Sequence, residues 1–360
     1  MIPIAKPVIE EEEIRAVVEV LKTGNLAGGA KVKEFEEQFS AFCNTGYAVA
    51  TNSGTSALHT ALMASGIGKD DEVIIPDFSF VATGTSVLMS GAEPVFADIK
   101  QDSCNINPDN VEVLITPKTR AIIGVHLFGN PCEMNEMKKI AEKHDLILIE
   151  DSAQAHGAEY HGKKTGSLGD AGCFSFYATK NMITGEGGMI TTGNADIYEK
   201  SKKLINHGQS SKYTHDILGY NYRMTDIAAA IGIEQIKKID GFNELRRKNA
   251  SYYNDNIDCE GIVKPFSEPY SKHVYHQYAI RVTADFPLSR EELMKHLEER
   301  GISTAVHYPS CISSQPVFRQ YEASTPVSHS VSKEILSLPV HPLLTEKDLE
   351  YVCNSINEVI

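Results

Sequence analysis

One lysine and one acid each stand at or just beyond the end of a short apolar run. Lys180 lies in Phe174-Ser175-Phe176-Tyr177-Ala178-Thr179-Lys180-Asn181, just before the glycine-rich run Thr184-Gly185-Glu186-Gly187-Gly188. Asp151 closes Leu146-Ile147-Leu148-Ile149-Glu150-Asp151, which reads as a buried strand. Such a pair suits pyridoxal phosphate (PLP). A lysine amine condenses with the cofactor aldehyde as a Schiff base, and an acid keeps the pyridine nitrogen protonated. The protonated ring then takes up the electron pair of a carbanion formed beside the substrate nitrogen. Apolar flanks disfavour the ammonium form of Lys180 and make its amine more nucleophilic at neutral pH. Singly, each residue has a plainer reading: a solvated lysine, or an acid that caps the next helix. Their joint placement, with the phosphate signal below, carries the chemical reading.

That signal is Thr51-Asn52-Ser53-Gly54-Thr55-Ser56-Ala57-Leu58, which joins a strand to a helix. Gly54 permits close backbone approach. Thr55 and Ser56 offer hydroxyls and free N–H groups where a helix dipole favours an anion. An ordinary serine/threonine cap is the commoner reading of this loop taken alone. No Gly-x-Gly-x-x-Gly opens the first strand–helix unit and no Walker motif occurs, so a dinucleotide or P-loop site is unsupported. Phe78 and Phe80 follow Pro76-Asp77 at another strand end, where an aromatic can stack on a flat ring. Core packing fits either phenylalanine equally well. Gln154, three residues after Asp151, can donate to a ring oxygen or stand as a plain surface glutamine.

The elements that must position these residues read as alternating helices and strands. Residues 1–12, with Pro3 and Pro7, form an extended arm. Ile14, Val17, Val18 and Leu21 have helical spacing. Gly24 to Gly29 is a loop, and Val32–Phe42 a second amphipathic helix. Short apolar strands follow at Tyr47–Thr51, Val73–Pro76, Pro94–Asp98, Ala121–His126, Leu146–Asp151, Gly172–Tyr177 and Gly188–Thr192. Helices are expected at Ser56–Ser65, Ser79–Ser90 and Met134–His144. This alternation predicts an α/β fold with a mostly parallel, doubly wound sheet, which binds ligands beyond its C-terminal strand ends. Thr225–Lys248 reads as a long helical stretch with a break near Gly241. Beyond it, a strand at Val274–Val282, a helix at Arg290–Arg300, a strand at Ile302–His307 and a helix at Glu346–Val359, capped by Thr345, make a small α+β domain. The expected organisation is an arm over 1–12, a large domain over 13–240 and a small domain over 241–360.

Bulk properties narrow the function. The 360 residues suit two domains, and 42% hydrophobic with 23% charged residues is ordinary for a globular protein. A formal net charge of −14 argues against nucleic acid as the main partner. The seven cysteines are scattered, with no Cys-x-x-Cys pair, which fits reduced thiols in a cytoplasm. No signal pattern opens the chain, and no apolar run approaches the ~20 residues of a membrane helix. His126, His156, His207, His215 and His307 match no zinc spacing, so no metal is expected.

The motifs resemble those of the nucleotide-sugar aminotransferases of the DegT/StrS type. The resemblance rests on Asn52–Leu58, Ile149–Gly157, Phe174–Asn181 with Thr184–Met189, and Leu218-Gly219-Tyr220-Asn221-Tyr222-Arg223-Met224-Thr225-Asp226. It extends from the arm through His307-Tyr308-Pro309 to Ser337-Leu338-Pro339 and covers nearly the whole chain. It implies PLP, the aspartate aminotransferase fold (fold type I), Lys180 as Schiff-base lysine and Asp151 as pyridine partner. It further places Gln154 at a ring oxygen, Gly54, Thr55, Ser56 and Ser175 at the phosphate, and Phe80 on the ring face. Asn221 matches a residue that reaches the neighbouring subunit's cofactor, which implies a homodimer. His307 and Tyr308 match a segment that approaches the sugar nucleotide. Some relatives carry histidine in place of the lysine and act as dehydratases; lysine favours transamination. Where relatives often read Glu-Asp-Ala-Ala, this chain has Glu150-Asp151-Ser152-Ala153. The activity implied is amino transfer from L-glutamate to a nucleotide-linked keto-deoxysugar in polysaccharide or deoxysugar biosynthesis. The Asn221–Asp226 stretch resembles the 4-ketosugar branch, so C4 is expected. Amination at C3, dehydration, or a PLP-binding regulator without turnover are the alternatives.

Overall fold

A computed structural model describes residues 1–359 of the chain. Its frame is a seven-stranded sheet. The strands are β1 (Tyr47–Thr51), β2 (Glu72–Pro76), β3 (Glu93–Ala97), β4 (Thr119–Val125), β5 (Ile147–Asp151), β6 (Ala171–Ser175) and β7 (Gly188–Thr192). Their spatial order is β1-β7-β6-β5-β4-β2-β3. All pairings are parallel except those of β7, which runs antiparallel to both β1 and β6. Continuous apolar runs such as Val73–Ile75, Ala121–Ile123 and Leu148–Ile149 are buried, as a sheet covered on both faces requires.

The covering helices are α1 (Glu11–Thr23), α2 (Ala30–Cys43), α3 (Gly54–Ala64), α4 (Ala82–Ser90), α5 (Pro108–Leu114), α6 (Met134–His144), α7 (Ala195–Leu204) and α8 (Asp226–Ile236). Next come α9 (Ile239–Asn256), α10 (Arg290–Glu299), α11 (Pro326–Glu334) and α12 (Glu346–Asn357). The last four accompany a small antiparallel sheet of β8 (Ile262–Val263), β9 (Tyr278–Val282) and β10 (Ile335–Leu338), in the order β8-β9-β10. Among the described residues, no helix is long and apolar enough to cross a membrane.

Several expectations shift. The helix break lies at Lys237–Lys238, and α9 runs straight through Gly241. A side chain at Gly241 would meet nothing within 4 Å, so this exposed glycine disturbs no packing. Helix α9 links two cores: Ile239 packs with Phe35 and Phe176, whereas Ala250 and Tyr253 pack with the small sheet. No strand forms over Ile302–His307; only isolated bridges join Ile302 to Ile2 and Ala305 to Ser337. The arm is thereby tied down, with Ile2 buried in the small-domain core. Helix α1 is present, yet Ile14, Val18 and Leu21 are exposed while Glu13 is buried. Glu13 is held there by Lys238 Nζ at 2.9 Å and Gln235 Nε2 at 2.8 Å.

Candidate active site

A cavity of about 330 Å³ opens at the C-terminal ends of the central strands. Alternation along β5 points its last two acids in opposite directions. Glu150 is saturated: its carboxylate accepts from the backbone N–H of Gly166, Leu168 and Gly169 at 2.7, 2.7 and 2.9 Å. It also pairs with His126 Nε2 at 2.9 Å. The Cys132 N–H points at His126 Nδ1, so this histidine braces the strand end. Asp151 lines the cavity and keeps acceptor capacity. Its Oδ2 accepts from Thr83 Oγ1 at 2.8 Å, and its Oδ1 from the Ala153 N–H at 3.2 Å. Burial pushes its pKa up, so its ionised form calls for a cationic partner.

Lys180 follows β6 on a turn in which its N–H donates to the Tyr177 carbonyl. Its side chain is half-buried and faces the cavity. Burial pulls the ammonium down to about 8, and the Asp151 carboxylate only partly opposes this. Roughly a tenth is therefore free amine at pH 7, far more than for an ordinary lysine.

The phosphate loop is built by one cap. Ser53 Oγ accepts from the Ser56 N–H at 3.1 Å, which starts α3. The N–H groups of Gly54 and Thr55 then stand at a helix N-terminus that borders the cavity. Gly54 is needed here, because a Cβ would lie 2.7 Å from Ser175 Cβ. Ser175 also lines the cavity. Ser56 does not: its hydroxyl donates to Asn52 Oδ1 at 2.6 Å and lies 2.8 Å from Ser53 Oγ, so it braces the loop from behind.

Of the two phenylalanines, Phe78 is fully buried in the core and Phe80 faces the cavity. Phe80 sits 5.9 Å from the Tyr308 ring. Gln154 Oε1 accepts from the Phe128 N–H at 2.7 Å, and its Nε2 donates to the Tyr308 hydroxyl at 3.0 Å. His307 lines the same wall, with Nδ1 3.0 Å from Ser337 Oγ. Burial, with Lys180 nearby, lowers its pKa to about 4, so it is neutral. Asn221 does not border this cavity. It is exposed, and its carbonyl lies 3.4 Å from Asn52 Nδ2.

The cavity also takes in Ser53, Ser79, Tyr177, Thr179, Glu186, His276 and Gln277, which motif reasoning did not single out. Glu186 was visible as the acid in the glycine-rich run after Lys180. His276 and Gln277 come from the segment before β9, and only the tertiary fold brings them here. The remaining histidines do not converge. His156 packs between Phe174 and Phe176 with neither ring nitrogen hydrogen-bonded. Among the described residues, one grouping has metal-like spacing: Asp77, Cys311 and His329. Asp77 already accepts from the Ser313 N–H and Oγ at 2.7 Å each, and from Thr325 Oγ1, so its oxygens are occupied.

The chain aligns with known proteins along its length. Residues 7–357 match the DegT/DnrJ/EryC1/StrS aminotransferase family. GDP-perosamine synthase of Caulobacter vibrioides is 36% identical, over 100% of this chain and 98% of its own. The dTDP-3-amino-3,4,6-trideoxy-alpha-D-glucose transaminase of Streptomyces venezuelae is 36% identical, over 96% of this chain and 93% of its own. The solved structure of S. venezuelae DesV superposes with a TM-score of 0.92 at 36% identity, covering 96% of this chain and 94% of that one.

Proposed function

The chain belongs to the DegT/DnrJ/EryC1/StrS aminotransferase family, whose members depend on PLP, and on that premise we propose that it carries an amino group from L-glutamate to C4 of a nucleotide-linked keto-deoxysugar. The observation that carries this reading is the convergence of Lys180, Asp151 and the α3 N-terminus on one cavity. The residues fit the cofactor. Asp151 is a buried carboxylate with spare acceptor capacity, and the Gly54–Ser175 contact is a cradle that a Cβ would fill.

When bound, PLP supplies an aldehyde for the amino group and a ring that takes up a carbanion's electron pair. Asp151 would accept the pyridine N–H as a charge-assisted hydrogen bond. The Gly54 and Thr55 N–H groups and the Ser175 hydroxyl would hold the phosphate, with Ser56 as a brace. Phe80 would hold the cofactor ring by apolar contact, and Gln154 by a hydrogen bond. Lys180 would take the proton from the donor's Cα and return one in the opposite half-reaction. A free-amine fraction near neutral pH suits a group that alternates between base and acid. His307 and Tyr308 border the space left for the sugar nucleotide.

The subunit partner is a second copy of this chain. Ile14, Val18 and Leu21 form an exposed apolar stripe on α1, and Tyr213 and Leu218 are exposed before Asn221. Such a stripe suits an interface, and Asn221, free of its own cavity, is available to the neighbour's. All seven cysteines are unpaired, in keeping with a cytoplasmic enzyme. The assignment to C4 rests on the likeness of Asn221–Asp226 to the 4-ketosugar branch. The test offers L-glutamate with 3-keto and 4-keto nucleotide-linked deoxysugars. Product NMR placing the amine at C4 supports the reading. An amine at C3, the position named in one relative's product, refutes the regiochemistry and leaves amino transfer standing.

A further inference from the structure

We propose that His276 helps set substrate choice, its Nε2 accepting a hydrogen bond from the sugar hydroxyl beside the reacting carbonyl. The inference rests on the amino transfer to C4 proposed above and adds a subsite to it. His276 is 5% exposed and lines the cavity that Lys180 faces. Its backbone is docked on the turn after β4. The Val274 N–H donates to the Gly129 carbonyl at 3.0 Å, and the Gln277 N–H to that of Phe128 at 3.3 Å. Gly129 permits this approach: a Cβ there would lie 2.8 Å from Val274 Cγ2 and 3.1 Å from the His276 backbone nitrogen.

Hydrogen bonds fix which ring nitrogen carries the proton. On α9, Asn243 Nδ2 donates to the His156 carbonyl at 2.7 Å, which leaves its Oδ1 to accept. Asn181 Nδ2 donates to that Oδ1 at 2.9 Å and to the Val274 carbonyl at 3.2 Å. Asn181 Oδ1 is then an acceptor, and it meets His276 Nδ1 at 3.1 Å. Nδ1 therefore carries the hydrogen, and Nε2 of the neutral ring is a lone pair. Burial, with Lys180 and Arg246 nearby, lowers the His276 pKa well below its ordinary value, so the ring stays neutral. Nε2 has no partner among the described residues, yet unlike both nitrogens of His156 it is not sealed off from solvent. An open acceptor on a cavity wall calls for a donor on the ligand. The carboxylates of glutamate offer none, whereas a sugar hydroxyl does. Asn181, which holds the ring, directly follows Lys180, so the acceptor is anchored on the reacting side of the cavity. Beside a C4 carbonyl the only ring hydroxyl is on C3, because C5 carries the ring oxygen and the exocyclic carbon.

The test follows the cofactor absorbance of the holoenzyme through each half-reaction separately. The first uses L-glutamate; the second uses a nucleotide-linked 4-keto-6-deoxyhexose or its counterpart lacking the C3 hydroxyl. His276→Asn keeps an N–H near the position of Nδ1 for Asn181 and removes the acceptor. Its apparent dissociation constant for the hydroxylated sugar should rise by about five- to tenfold, while its glutamate half-reaction stays within about twofold of wild type. The sugar lacking the hydroxyl should bind both proteins alike. His276→Gln, whose amide oxygen reaches the Nε2 position, should recover part of the loss. Equal affinity of wild type for the two sugars overturns the proposal without any variant. An equal loss on both sugars, or a glutamate half-reaction slowed as much as the sugar one, makes His276 a brace for the Lys180 turn and also overturns it. So does a shifted pH dependence of cofactor uptake by cofactor-free His276→Asn, which assigns Nε2 to Lys180. A wild-type holoenzyme that reacts with glutamate but with no ketosugar refutes the amino-transfer reading itself, and the subsite with it.

Discussion

The floor of the cavity and the segment from Asn206 to Arg223 are built in opposite ways. On the floor, each side chain that positions the chemistry finds its partners within the chain. Asp151 is fixed by Thr83 and Ala153, its neighbour Glu150 by three backbone N–H groups and His126, and Gln154 by Phe128 and Tyr308. The 206–223 segment closes a small hairpin over Gln209–Ser211 and Thr214–His215 but leaves Tyr213 84% and Leu218 75% exposed. A single chain thus preorganises the proton-transfer groups, and the proposed dimer would draw the rest of the binding surface from another copy. The difference separates variants that destroy chemistry from variants that a partner can rescue.

Lys180→Ala breaks the floor most severely. It should lower amino transfer by on the order of 10⁴-fold while circular dichroism stays native. A variant that remains active, with cofactor still fixed to protein by borohydride, refutes the assignment. Asp151→Asn keeps a hydrogen-bonding group but loses the charge. Turnover should fall by roughly 10²–10³-fold with much of the cofactor retained, as measured by steady-state kinetics and bound-cofactor absorbance. Near-normal turnover contradicts its role.

The segment is tested by mixing. Lys180→Ala and Asn221→Ala are each impaired alone, but co-refolded together they should recover about a quarter of wild-type activity, since half the dimers are hybrids with one intact site. A monomeric, active wild-type chain in analytical ultracentrifugation removes the basis for this rescue. The smallest effect concerns pH. Because burial lowers the Lys180 amine to about 8, cofactor uptake by the cofactor-free protein should accelerate as pH rises through that value and level off above it. Stopped-flow absorbance reads this directly; an inflection near the ordinary lysine value of about 10.4 contradicts the desolvated setting.

The floor was also the legible part of the sequence. Asp151 and Lys180 could be found because parallel strands buried on both faces appear as apolar runs, and such runs mark their own ends. Thr83 could not be assigned to Asp151, 68 positions away, because nothing local to a threonine names its partner. The amphipathic spacing in α1 gave the helix correctly, but its apolar side turned outward: Lys238 and Gln235 draw Glu13 inward, and sequence periodicity does not say what surface a stripe faces. Helices α5, α7 and α11 are short and polar, with few apolar repeats to read. Alternation at Ile302–His307 mimicked a strand, although its backbone finds only two bridge partners.

The central claim is that this one cavity transfers nitrogen from a donor amino acid to a sugar. The most direct test incubates the holoenzyme with ¹⁵N-labelled L-glutamate and a nucleotide-linked 4-keto-deoxysugar, and follows both products by mass spectrometry. The expected result is one labelled amino-sugar formed per 2-oxoglutarate, with neither product from Lys180→Ala. Unlabelled or dehydrated sugar, or 2-oxoglutarate formed equally well by Lys180→Ala, would contradict it.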